Sequence, residues 1–350
     1  MMMTSASAST NKSYQLSVLD LASIWNGQST AQAMVEALSL AKKVEQLGYT
    51  RYWFAEHHGS VHQASSAPEL LIAYVAAQTT HLRVGSGGVM LPNHSALKVV
   101  ESFATLEALY PGRVDLGIGR APGTDGNTAY ALRRSWDKVQ TYDFPEQLEE
   151  LLAFFTGGFP SSHAYSGITP NPVVTTIPDI YMLGSSDGGM KFAANHGLGF
   201  TFAAHISPEL AVTMLQAYRK NFKPSRFLSE PRSMIAIQVV CAETDEEAEY
   251  LAAPMEIQWT RWGTGQFALP FPTLEEAANY RYSPQEEQIR RSNAGRYVIG
   301  SAETVATKLR KIADSALAEE IMMMTMLPDP VARQRSYQLV AEAFQLSARS

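Results

Sequence analysis

The chain has 350 residues, 45% of them hydrophobic and 18% charged, the composition of a globular protein with ample material for a core. A net charge of -6 leaves no electrostatic footprint for nucleic acid, and no run is long and apolar enough to cross a membrane. The single Cys241 excludes an intrachain disulfide and fits a reducing, cytoplasmic compartment.

Residues 1–13 lack an apolar segment and read as a disordered tail, leaving one domain over 14–350. Tyr14 to Asp20 is a first strand. Ser29 or Thr30 starts an amphipathic helix that Gly48 ends. Arg51 to Ala55 is a second strand running into Glu56-His57-His58. A helix starts around Pro68 and runs to Thr79. Arg83 to Gly88 is a strand that ends on Gly87-Gly88, where glycine lets another molecule approach the backbone. A helix over Ser95 to Leu109, capped by Asn93 or Ser95, stops at Pro111-Gly112. Arg113 to Gly119 alternates apolar and small or polar residues, a strand ending at Gly119-Arg120.

Helical sequence follows around Arg133 and over Pro145 to Thr156. Residues 157–178, rich in Gly, Pro, Ser and Thr, read as an insertion. Ile180 to Leu183 is a strand, Gly184 to Gly189 a turn, and Met190 to His196 a helix. Gly199 to Ala204 is a strand ending in His205. Ser207-Pro208-Glu209 opens a helix, Ser233 to Ala242 is an apolar strand, and Thr244 opens a helix to about Trp262. Residues 263–297 resist assignment. Tyr297 to Val305 reads as a loop feeding a helix, Glu320 to Thr325 as a last strand, and a terminal helix begins near Pro330. Eight alternations of strand and helix predict a parallel (β/α)8 TIM barrel with insertions, with an open doubly wound sheet as the competing architecture. In the barrel the active site lies at the C-terminal strand ends.

Gly184-Ser185-Ser186-Asp187-Gly188-Gly189 joins a strand to a helix. Its free amides and hydroxyls suit a phosphate as well as they suit a plain capped turn. Arg120 either adds charge to that phosphate or pairs with Asp125. The segment is neither a Walker loop nor a Rossmann fingerprint. His57 and His58 are adjacent in an extended segment and point opposite ways. A zinc site needs further ligands at defined spacing, and none presents itself, so no metal is expected. His57 reads as a rim histidine or as a base facing a ligand pocket. Cys241 reads as a buried thiol, and Met322 to Met324 as strand core.

Four motifs in order, Tyr52-Trp-Phe-Ala-Glu-His-His58, Val84-Gly-Ser-Gly-Gly-Val-Met-Leu-Pro92, Gly112-Arg-Val-Asp-Leu-Gly-Ile-Gly-Arg120 and Leu183-Gly-Ser-Ser186, resemble the bacterial luciferase-like flavin monooxygenases over roughly residues 14–345. The resemblance implies a barrel that binds FMN at its rim and uses reduced flavin and O2 to oxygenate a small organic substrate. It implies His57 as the catalytic histidine. It places the cofactor against Ser86, Gly87, Gly88, Arg120, Leu183, Gly184, Ser185 and Ser186, with a non-proline cis peptide at Gly87-Gly88. Where the luciferases carry an acidic residue, this chain has Ser185. The resemblance also implies a mobile lid over 263–297, a separate flavin reductase and a homodimer. An F420-dependent dehydrogenase and a non-enzymatic FMN-binding protein are the alternatives.

Overall fold

The computed structural model describes residues 13–348, so the tail expected over 1–13 lies outside the described residues apart from Ser13. Eight parallel strands close on themselves: β1 (Gln15–Asp20), β2 (Arg51–Phe54), β3 (Arg83–Met90), β4 (Val114–Gly119), β5 (Asp179–Gly184), β6 (Gly199–Ala203), β7 (Ser233–Ala242) and β9 (Glu320–Met324). Pairing of β7 with β9 and of β9 with β1 completes the ring. The fold is the closed (β/α)8 barrel, and the open sheet is excluded.

Side chains alternate across this wall as strand geometry requires. Leu16, Val18, Tyr52, Phe54, Ile235 and Ile237 pack outward against the helices. Leu19, Trp53, Tyr181, Met234, Ala236 and Met322 pack inward. The helices that matter for the rim are α1 (Thr30–Gln46), α2 (Pro68–Ala76), α3 (Ala96–Leu109), α4 (Gly126–Arg133), α5 (Trp136–Gln140), α6 (Phe144–Thr156) and α7 (Asp187–His196). After them come α8 (Ala211–Asn221) and α9 (Asp245–Gly263).

Four expectations need correction. β3 does not stop at Gly87-Gly88 but continues to Met90, shifting register against β4 across the glycine pair. α2 ends at Ala76, short of Thr79, whose hydroxyl turns back to the Val75 carbonyl. α7 begins at Asp187 rather than Met190. Its Gly189 sits against the end of β5, where a Cβ would come within 3.0 Å of the Leu183 carbonyl oxygen; glycine serves close packing there, not a turn. Tyr297–Ser301 is a strand, β8, not a loop: it pairs with the second half of β7, from Gln238 onward, on the edge away from β9 and beyond the stretch, Ser233 to Ala236, that pairs with β6.

Residues 263–297 hold two further helices, α10 (Leu274–Asn279) and α11 (Pro284–Asn293), each opened by a reciprocal capping box, Thr273 with Glu276 and Ser283 with Glu286. They lead through β8 to α12 (Ala302–Ala316) and then to β9 and α13 (Pro330–Ala343). Residues 157–178 contain no helix or strand and are tied to α3 by Thr176 on Glu107 and by Asn171 on Glu101.

The N-terminal end of the barrel is sealed by charge. Arg51, at the head of β2 and 4% exposed, grips Glu320 of β9 through Nε and Nη2 (2.7 and 3.0 Å) and Asp115 of β4 through Nη1 (2.9 Å). Arg83 reaches Asp115 and Asp179, and Arg232 reaches Asp179 at 2.7 Å. Trp53 and Tyr181 complete the set, the indole N–H donating to Asp115 and the phenol oxygen accepting from Arg51. Burial works to raise the Asp115 carboxyl, but Arg51 and Arg83 overcome it and hold the group below the usual carboxylate range. Removing one partner of such a set strands a buried charge, at a cost of about 3–5 kcal/mol.

Arg51→Met is therefore expected to lower the free energy of unfolding at pH 7 by about 3–5 kcal/mol in urea titrations. In the native chain a carboxyl held below its unfolded pKa loses its stabilisation as pH falls through the folded value. In the variant Asp115 keeps Arg83 but loses the Arg51 charge, so its carboxyl is held down less and the deficit is expected to shrink as pH falls.

Candidate active site

At the opposite end the strands open into a cavity of about 210 Å3, walled by Leu19, Ala55, Gly87, Gly88, Leu183 and Met322. On the β3–β4–β5 side of this wall glycines let neighbouring side chains and backbone approach closely. A Cβ on Gly87 would come 2.6 Å from Leu19 Cδ1, and one on Gly88 would come 2.5 Å from Leu183 Cδ1 and 2.7 Å from the Gly117 carbonyl oxygen. A Cβ on Gly117 would collide with the Ser86 carbonyl oxygen. The Gly87-Gly88 peptide is cis, at the position the resemblance implied. Ser86 itself does not face the cavity. It is fully buried, and its hydroxyl donates to the Gly117 carbonyl (2.9 Å) and accepts from the Gly117 N–H (3.1 Å), bracing β3 on β4.

Arg120, Gly184 and Ser185 also line the cavity. Ser186 is the N-cap of α7, yet its side chain makes no bond to the helix; its hydroxyl accepts from Arg120 Nη2 at 3.2 Å. The Arg120 guanidinium lies directly over Gly188, and a Cβ there would strike Nη1. Asp125 does not take Arg120; its carboxylate caps α4 through the amides of Asn127 and Thr128. A cation, two serines and the positive end of a ten-residue helix thus converge at one side of the cavity.

His57 and His58 diverge as extended backbone requires. His57 lines the cavity, half-buried, with its Nδ1 enclosed and without a partner. Burial outweighs the nearby Glu56 charge and pushes the imidazole down to about 4. His205, at the end of β6, faces the same cavity. Burial lowers it to about 4 as well. Its Nδ1 lies 3.2 Å from the Ala236 carbonyl oxygen, which only accepts, so the hydrogen sits on Nδ1 and Nε2 is left as an acceptor.

The sequence placed His205 among the strand-end residues to inspect but gave it no role; a histidine closing an apolar strand was the available signal. No residue of 263–297 lines the cavity. The segment reaches the rim through Arg296, whose Nη1 donates to the His205 carbonyl at 3.0 Å and also to that of Ile206. His58 turns to Glu56, where His94 joins it, a partner that no spacing in the sequence disclosed. Cys241 is buried in β7, and burial raises its thiol to about 12, as expected of an inert thiol.

Two outcomes follow from this geometry. Gly88→Ala is expected to displace Leu183 and lower stability by about 1–3 kcal/mol through overpacking, read by thermal denaturation. His57 is expected to stay neutral from about pH 8 to about pH 5.5, with imidazole 15N shifts as the readout. Because its folded pKa lies below the unfolded one, protonation opposes folding, and its contribution is lost as pH falls from about 6.5 toward about 4.

The family model for luciferase-like monooxygenases matches residues 14–319. A luciferase-like monooxygenase of Escherichia coli (strain K12) is 39% identical over 336 residues, covering 95% of this chain and 98% of its own length. The N-acetyl-S-alkylcysteine monooxygenase of Bacillus subtilis (strain 168) is 35% identical over 331 residues, covering 94% and 98%. The crystal structure of apo-MsnO8 superposes with a TM-score of 0.88 at 36% identity, covering 97% of this chain and all of that one. By the extent of these matches the chain belongs to the luciferase-like monooxygenase family.

Proposed function

We propose that this protein is a flavin-dependent monooxygenase that receives reduced FMN from a separate reductase and uses it with O2 to oxygenate a small organic substrate. The observation that carries the reading is the meeting of an anion cradle with a glycine-walled cavity. Arg120, Ser185, Ser186 and the first turn of α7 suit the phosphate of a mononucleotide. Gly87 and Gly88 carry no side chains of their own, so Leu19 and Leu183 pack down on their backbone and the wall they share leaves room for a ring system.

FMN, when bound, supplies the redox chemistry with O2. The chain's own residues do the rest. Arg120 donates to the phosphate, and the Ser185 and Ser186 hydroxyls add directional bonds. Leu19, Leu183 and Met322 keep water off the cavity floor. His57, neutral with Nδ1 unsatisfied, serves as hydrogen-bond donor or base beside the reacting atoms. Reduced FMN from another protein is part of the proposal, as is pairing of the chain as a homodimer.

The decisive experiment titrates the purified protein with FMN, reduced FMN and F420, then measures O2-dependent turnover. The substrate panel is led by N-acetyl-S-alkylcysteines, after the name of the 35% identical relative. Tight binding of F420 with indifference to FMN would make the chain a dehydrogenase instead. FMN binding without turnover across the panel would make it a flavin carrier. Arg120→Ala is expected to weaken FMN by about 1.5–3 kcal/mol, roughly 10- to 150-fold, the worth of a charged hydrogen bond. His57→Ala is expected to cut turnover by about 100- to 10,000-fold while leaving FMN affinity within a few-fold.

A further inference from the structure

Glu56, His58 and His94 stand at the rim beside the cavity, facing away from His57. Glu56 and His58 follow β2, whereas His94 follows the short turn Leu91–Asn93 that ends β3 and precedes Ser95, the N-cap of α3. His58 Nε2 lies 2.7 Å from Glu56 Oε1, and His94 Nε2 lies 2.8 Å from the same oxygen. One ligand-capable atom from each residue falls within 4.8 Å of the other two. The second carboxylate oxygen, Oε2, accepts the Met90 N–H at 2.9 Å, which fixes the rotation of the group. Glu56 is 1% exposed, His58 14% and His94 30%, so the carboxylate is enclosed and the mouth opens on the His94 side.

We propose that Glu56, His58 and His94 form a binding site for a first-row divalent cation, Zn2+ foremost. Two imidazole nitrogens and one carboxylate oxygen are the donor set of three-ligand zinc sites, which keep a fourth position for water. Nitrogen donors favour Zn2+, Co2+ or Ni2+ over Mg2+ and Ca2+. Ligands about 2.0–2.1 Å from a tetrahedral ion sit roughly 3.3–3.4 Å apart. Loading therefore moves the two rings back by about 0.6 Å from their present contacts, on the side where both reach solvent. The Met90 N–H is the outer partner that orients the carboxylate.

A hydrogen-bonded triad without a cation is the competing account. Holding the Met90 N–H needs Glu56 alone, however, and two imidazoles from separate segments converging on one enclosed oxygen go beyond that need. The two accounts differ in one respect: the triad keeps hydrogen on both Nε2 atoms, whereas a cation moves it to Nδ1. Met90 also lines the cavity, so an ion at Glu56 shares a strand end with the proposed flavin pocket without depending on that proposal.

The test uses the full chain stripped with chelator. Equilibrium dialysis with Zn2+ is expected to give one equivalent bound per chain, and Co2+ the visible absorption of a tetrahedral site. His94→Ala and His58→Ala are each expected to weaken Zn2+ by at least about 100-fold, beyond the 10- to 100-fold typical of losing an outer partner. His81→Ala, at an exposed histidine elsewhere, is expected to change nothing. No saturable binding, or binding that survives His94→Ala, overturns the proposal. Should the variants fail to fold, 15N imidazole spectra of the native chain decide: His58 and His94 must convert to the Nδ1–H tautomer on adding Zn2+, and unchanged tautomers overturn the site.

Discussion

The structure depends on the guanidinium of Arg51. It is enclosed at the closed end of the barrel and bonded to Asp115 and Glu320, carboxylates carried by β4 and β9. Three strands that lie far apart in sequence meet at that one cation. Asp115 draws in Arg83, which with Arg232 shares Asp179, so β3, β5 and the residue preceding β7 join the same lattice. The arrangement places each charge where only one strand register satisfies it. A slip of one residue would turn Arg51 or Asp115 to the helix side, away from these partners. Net stability from such a set is small, because desolvation offsets most of the attraction. Its contribution is to make closure of the ring and the choice of register a single event.

With one end sealed by charge, the other is free to be hollow. β3, β4 and β5 give up side chains at Gly87, Gly88 and Gly117, and the space is taken by neighbouring backbone and by Leu183. Those glycines cost the chain conformational entropy. In return Leu19 and Leu183 pack close on the sheet beside the cavity, and Arg120 can lie over Gly188 at the start of α7. Two neutral histidines border the same space, each kept uncharged by burial. The cavity is thus apolar and uncharged on one side and cationic on the other, a polarity suited to a ligand that is a ring at one end and an anion at the other.

The excursion after β7 shows how much local chemistry is present in a stretch that looks featureless. Thr273-Leu-Glu-Glu276 and Ser283-Pro-Gln-Glu286 each place an acceptor three residues ahead of a glutamate, and both fold as capping boxes. The helices they open are short and make most of their contacts with α9, so no long apolar stripe announces them. β8 was hidden for a related reason. Only five residues long, it is a strand because β7 extends past β6 and leaves the second half of that edge for it to pair with.

The sequence by itself determined the order of strands and helices, the parallel sheet they form, and the glycine, arginine and serine motifs near its rim; closure into a ring was shown by β9 pairing with β1 and β7. Periodicity and glycine placement are local properties, and a parallel sheet buried on both faces writes them plainly into the chain. Tertiary structure alone decided which side chains meet. Ser86 turned from the cavity to brace Gly117, His205 came to face the same space as His57, His94 joined Glu56 from 38 residues away, and Arg51 found its two carboxylates. Those pairings depend on the angle at which the ring closes, and hydrogen bonds between distant strands leave no spacing rule in the sequence that forms them.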